Sequence, residues 1–119
     1  MLLAACLPSA MAAMAVSGRP TYLRLTRDAS PVIFPENYDF EIGRAMLLRD
    51  GNDLGIVSTG IQTVRSLETA SRLGERGLSV AVLHVPTIKP IDADAIVEFA
   101  ERTNLIMTAE DHSIIGGLG

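Results

Sequence analysis

Leu54-Gly55-Ile56-Val57-Ser58-Thr59-Gly60 is a short apolar run that ends in a polar, glycine-containing turn. Leu78-Ser79-Val80-Ala81-Val82-Leu83-His84-Val85 is a second run, apolar at all positions except Ser79 and His84. Continuous apolar runs of this length read as strands covered on both faces. Between them, Ile61 to Arg76 carries helical spacing. Val64, Leu67, Ala70, Ser71 and Gly74 fall on one side, and Arg65, Glu68, Thr69, Arg72 and Arg76 on the other. Glu68 and Arg72 stand four apart, a spacing for an ion pair worth ~0.2–0.5 kcal/mol. Gly77 sits where a left-handed residue closes a helix. Strand, helix and strand in this order predict two parallel strands joined by a right-handed crossover.

The pattern extends on both sides. Arg44 to Leu48 is a short strand candidate, followed by a turn at Arg49-Asp50-Gly51-Asn52-Asp53. Pro86-Thr87-Ile88-Lys89-Pro90 is a rigid turn. Asp92 is placed to cap a helix from Ala93 to Arg102, with Asp94 in its first turn. Leu105 to Ala109 is the last strand candidate. The expected fold is α/β: three layers, with a mostly parallel sheet, flanking helices and an incomplete far edge at Gly119. Upstream, Met1 to Val16 is apolar and rich in alanine. Pro8 and Ser9 limit the expected helix to Met11–Val16. Ser17-Gly18-Arg19-Pro20 is a turn, and Thr21 to Leu25 alternates like a strand. Pro31 and Pro35 mark a linker at 29–39.

Composition narrows the function. The chain has 119 residues, 48% of them hydrophobic, and a net charge of −4. Its mean hydropathy is +0.30 and its pI about 5.0. One modest core fits that length. The apolar excess suits a chain that buries surface against something else. With no basic block and 4% aromatics, nucleic acid is not an expected partner. The apolar N-terminal stretch lacks a preceding Lys or Arg and falls short of the roughly 20 residues of a bilayer span, so no membrane partner is expected. The single Cys6 cannot form an internal disulfide, and the composition reads as cytoplasmic.

Three places could carry chemistry. Strand alternation puts Tyr22, Arg24 and Thr26 on one face, with Arg27 at the strand end. Arginine there suits phosphate, because its planar fork bonds two oxygens at once. The plain alternative is surface pairing with Asp28 or Glu36. The Ser58-Thr59-Gly60 turn could offer backbone N–H groups to an anion, or be an ordinary βα turn. No GxGxxG or P-loop pattern is present. His84 reads as a core or interface histidine with a satisfied hydrogen bond. His112 follows Glu110 and Asp111 and precedes Gly116-Gly117. Adjacent residues cannot all face one ion, so no metal site is expected. No catalytic residue is expected either: no serine stands in a nucleophile elbow, and Cys6 lies in an apolar stretch that disfavours thiolate.

Five phrases in this order resemble the C-terminal part of transketolase-like proteins. They are Pro20-Thr21-Tyr22-Leu23-Arg24-Leu25-Thr26-Arg27, Phe40-Glu41-Ile42-Gly43, Val57-Ser58-Thr59-Gly60, Thr87-Ile88-Lys89-Pro90-Ile91-Asp92 and Glu110-Asp111-His112-Ser113-Ile114-Ile115-Gly116-Gly117-Leu118-Gly119. The resemblance implies that residues 1–28 are the last helix and strand of a pyrimidine-binding domain. Residues 29–39 would be a linker, and 40–119 a partial transketolase C-terminal domain, the chain being cut at both ends. It implies a thiamine-diphosphate- and Mg²⁺-dependent enzyme that moves a ketol unit between sugar phosphates. The cofactor would be held by an N-terminal subunit or by another part of the same enzyme, in a dimeric assembly, and the isolated chain would be inactive. Arg27, and with it Arg24, would bind substrate phosphate. Glu110, His112, Gly116 and Gly117 would serve an interface. A deoxyxylulose-phosphate synthase, the β-subunit of a 2-oxoacid dehydrogenase and a non-catalytic α/β interaction module are the alternatives.

Overall fold

A computed structural model describes residues 7–27, 29–34 and 38–119. Expectations that rest on Cys6, Asp28 or Glu36 lie outside the described residues. The elements are α1 (Leu7–Ser17), β1 (Met46–Arg49), β2 (Leu54–Ser58), α2 (Ile61–Gly74), β3 (Val80–His84), α3 (Ala93–Arg102) and β4 (Ile106–Ala109). They form a four-stranded sheet in the order β1-β3-β2-β4. β2 runs parallel to β3, with Leu54 opposite Val80 and Ser58 opposite His84. It also runs parallel to β4, with Gly55 opposite Ile106. β1 is the antiparallel edge, pairing Met46 with His84 across an irregular register.

Strand alternation decides which side each helix covers. Ile56, Val80 and Val82 face α2, packing with Ala70, Leu67 and Leu73. Val57, Ala81, Leu83 and Val85 face the other way, onto Phe99 and Ile96 of α3. The three layers are thus helix, sheet and helix, as the apolar runs predict. Each fully buried aliphatic side chain contributes ~1.5–3 kcal/mol, which makes β2 and β3 the centre of stability. A third cluster joins Ala10 of α1, Phe34 and Phe40 to Ile61 and Val64 of α2.

The helix ends follow local rules. Leu78 donates its N–H to the Leu73 carbonyl (3.1 Å), and Gly77 donates to that of Gly74 (3.0 Å). With Gly77 at φ +84°, this is a Schellman closure of α2. Asp92 accepts from the N–H of Ala95 at 3.2 Å and caps α3.

Four local readings need correction. Among the described residues α1 already includes Leu7 to Ala10, upstream of Met11, so Pro8 and Ser9 do not limit the helix as expected. Thr21–Leu25 is not a strand; Leu25 makes an isolated bridge and Tyr22 is 88% exposed. Among the described residues no strand pairs with this segment in a ladder, and a strand without a ladder is not stable. On α2, Ser71 is exposed, while Thr63 and Ser66 are buried. The expected Glu68–Arg72 ion pair is not among those formed by the described residues. Those are Arg44–Glu41 and Arg102–Asp50.

Candidate functional site

β2 hands its chain to α2 on one face, and β3 hands its chain to α3 on the other. Where successive connections part in this way, a crevice opens at the carboxyl ends of the strands. A cleft of about 360 Å³ lies there. Thr59 follows β2, the Pro86–Lys89 turn follows β3, and Glu110, Asp111 and His112 follow β4. The outer wall is the 21–24 segment with Arg24, and Phe40 and Ile42 add apolar surface.

The structure therefore brings Arg24, Glu110, His112, Gly116 and Gly117 to one cleft. Arg27 is exposed and does not line it. Lys89 is a charged lining residue that the sequence reading did not assign to a site, and Thr59 belongs to the turn weighed there as an anion site. The signal for Lys89 was its position in a proline-bounded turn at the carboxyl end of a parallel strand.

Each wall is held by identifiable bonds. The Thr87 hydroxyl accepts the N–H of Gly43 at 2.9 Å. Gly43 has φ +84°, and a side chain there would meet the Pro90 ring at 3.1 Å. These contacts fix the turn that carries Lys89. The Glu110 carboxylate accepts the N–H groups of Leu118 and, at 3.1 Å, Gly119. It ties residues 118 and 119 back to the end of β4, closing a turn that includes the cleft-lining His112. Gly117 has no room for a side chain, because a Cβ would overlap that carboxylate. Thr59 donates its N–H to the Ala109 carbonyl at 3.2 Å. That donor is already used, so the plain reading of this βα turn is the right one for Thr59.

Arg24 is half-buried. Among the described residues it has no hydrogen bond or ion pair, and the same holds for Lys89 and His112. Arg24, Lys89 and His112 thus line one cleft without a side-chain partner among the described residues.

Behind the cleft lies a buried polar chain. Ser58 Oγ donates to Thr63 Oγ1 at 3.0 Å, and Thr63 Oγ1 lies 2.8 Å from His84 Nδ1. Which of Thr63 Oγ1 and His84 Nδ1 donates depends on the imidazole tautomer. Nε2 has no partner among the described residues. The ring packs 5.1 Å from that of Phe34. Burial disfavours the imidazolium and pushes the His84 pKa down to about 3. His84 is a neutral core residue, as expected, but only one of its nitrogens is satisfied.

No group of three His, Cys, Asp or Glu among the described residues is arranged to hold a metal ion. None of the described helices is long and apolar enough to cross a membrane.

The family model for the transketolase C-terminal domain matches residues 43–119. The 6-deoxy-6-sulfo-D-fructose transketolase subunit of Clostridium sp. (strain MSTE9) is 43% identical over 100 residues, covering 84% of this chain and 31% of the relative. An apulose-4-phosphate transketolase subunit of Phocaeicola vulgatus is 42% identical over 102 residues, covering 84% and 32%. A solved split-gene transketolase, described as an inactive beta4 tetramer, superposes with a TM-score of 0.73 at 41% identity, covering 76% of this chain and 30% of that one. The chain thus spans about a third of the length of these relatives. Sequence, fold and alignment agree, and the chain belongs to the transketolase family, with residues 43–119 matching its C-terminal domain.

Proposed function

We propose that this chain is the C-terminal section of a transketolase-type transferase, and that it supplies contacts to the anionic end of the substrate and part of the assembly interface. The observation that carries this reading is Arg24. The residue is half-buried and its side chain unpaired among the described residues, in a cleft at the carboxyl ends of the parallel strands. Arg24 and Arg27 are the substrate-phosphate arginines in this reading.

The relatives' names refer to a phosphorylated and a sulfonated sugar. Both carry a tetrahedral oxyanion, which the planar fork of arginine matches. The substrate class proposed here is a ketose and an aldose with such a group. Thiamine diphosphate with Mg²⁺ supplies the carbon chemistry when bound, and other parts of the assembled enzyme hold it. This chain's own work is to bind and orient.

The partner is an N-terminal transketolase subunit or another part of the same enzyme, in an oligomeric assembly in the cytoplasm. Exposed apolar side chains support that partnership: Val16 is 86% exposed, Ile114 89% and Ile115 83%. Isolated, the chain is inactive in this account.

The test is co-purification with a transketolase N-terminal subunit, together with any missing part of the C-terminal subunit. A ketol-transfer assay with thiamine diphosphate and Mg²⁺ follows. Turnover that needs this chain supports the reading. A stable complex that never turns over leaves only the assembly role and overturns the transferase assignment.

A further inference from the structure

We propose that Lys89 and His112 join Arg24 in one subsite for a tetrahedral oxyanion, so that residues of the C-terminal domain, beyond the two arginines, set specificity for the charged end of the ligand. This rests on the reading of Arg24 above and extends it to side chains from two other segments.

The three residues reach the cleft from separate parts of the chain. Arg24 comes from the segment after α1, Lys89 from the turn after β3, and His112 from the turn after β4. None is paired with a carboxylate among the described residues. Arg24 and Lys89 bring positive charge to the same cleft, and each is attracted to a bound anion. Their backbones are held in advance. The Lys89 turn is fixed through Thr87 and Gly43, and the His112 turn through Glu110, Leu118 and Gly119. A held backbone lowers the ordering cost of binding. Glu110 does not cancel the positive charge directly, because its carboxylate faces two backbone N–H groups of its own turn. Asp111 is the opposing charge: it also lines the cleft and is exposed. Its repulsion gives the proposal a prediction of opposite sign.

Lys89 suits this role as a point charge on a flexible stem, and Arg24 as a planar fork. Together they contact a group with three equivalent oxygens better than either alone. Phosphate and sulfonate share that geometry, and both are accepted in this account.

The experiment titrates the isotopically labelled full chain with inorganic phosphate, sulfate, methanesulfonate and a sugar phosphate such as ribose 5-phosphate, following amide shifts by NMR. The expected result is saturable shifts at Thr59, Gly116 and Gly117. Lys89→Gln and His112→Asn should each weaken binding by about tenfold or less, in line with loss of one charge-assisted contact. Asp111→Asn should tighten it, a gain that misfolding cannot imitate. Tighter binding of the sugar phosphate than of phosphate identifies an ester as the ligand, whereas equal affinity identifies the free oxyanion.

Binding that survives both Lys89→Gln and His112→Asn but is lost with Arg24→Gln overturns the shared subsite and leaves the arginine reading standing. A folded chain that binds none of the anions saturably also overturns it. Loss with Arg27→Gln alone places the anion outside the cleft and overturns it too. As a second readout, the same variants in the assembled enzyme should raise KM for a phosphorylated acceptor and leave that for the unphosphorylated sugar unchanged. Equal effects on both acceptors contradict the proposal.

Discussion

The carboxylate of Asp92 accepts the backbone N–H of Ala45 at 2.8 Å, across 47 positions of sequence. Its other oxygen caps α3 through Ala95. One side chain therefore starts a helix and pins the segment that enters β1. Replacing Asp92 with Ala removes both acceptors, and the expected loss is about 1–3 kcal/mol. Urea unfolding of Asp92→Ala measures it. A change below a few tenths would show that neither bond matters.

Gly55 in β2 lies under the Phe99 ring, and a Cβ there would sit 2.6 Å from Phe99 Cε1. Both belong to the contact of α3 with the sheet. Gly55→Ala should cost about 1–3 kcal/mol through overpacking. Shortening the ring in a Gly55→Ala/Phe99→Leu double variant should return part of that loss. Additive costs in a double-mutant cycle would refute the contact.

His84 makes stability depend on pH. Its folded pKa is lowered to about 3 from the ordinary 6.5, so the unfolded state binds more protons between those values. Its contribution is therefore present above about pH 6.5 and lost as pH falls towards 3, with a slope of up to ~1.4 kcal/mol per pH unit. A His84→Leu/Thr63→Val pair removes the titrating ring and its hydroxyl partner together. Unfolding free energies at pH 7 and pH 5 should fall more steeply for the wild type than for the pair. Parallel pH curves would show that His84 is not a buried neutral group.

Gly117 touches the Glu110 carboxylate and the Ser113 carbonyl so closely that no Cβ fits. Gly117→Ala should push Glu110 away from the N–H groups of Leu118 and Gly119. Hydrogen exchange at these two amides should then accelerate, while exchange in β2 and β3 stays unchanged. Unaltered exchange at Leu118 and Gly119 would mean that Glu110 does not organise this turn.

What the sequence made legible was governed by short-range rules. α2 and its closure at Gly77, the Asp92 cap and the buried run of β3 each depend on residues a few positions apart. The three-layer fold follows from their order. The misreading of Thr21–Leu25 has the opposite cause: alternation is necessary for a strand, but a neighbouring ladder decides it. Thr63 and Ser66 were hidden as core residues because hydroxyls become buried only when partners arrive, here His84 from β3 and the Gln62 carbonyl. At the site, Arg24 and the Glu110–Gly117 stretch were singled out from the sequence, but their meeting in one cleft was not. That meeting, and the place of Lys89 within it, depends on three strands ending side by side.

The most direct test of the account is the kinetic behaviour of Arg24→Ala and Arg27→Ala in the assembled enzyme, measured with a phosphorylated aldose and its unphosphorylated counterpart. The account predicts that KM rises about tenfold or more for the phosphorylated acceptor, as one charge-assisted contact is lost, and stays level for the other. Unchanged kinetics with both acceptors, in an intact assembly, would contradict the claim that this chain binds the anionic end of the substrate.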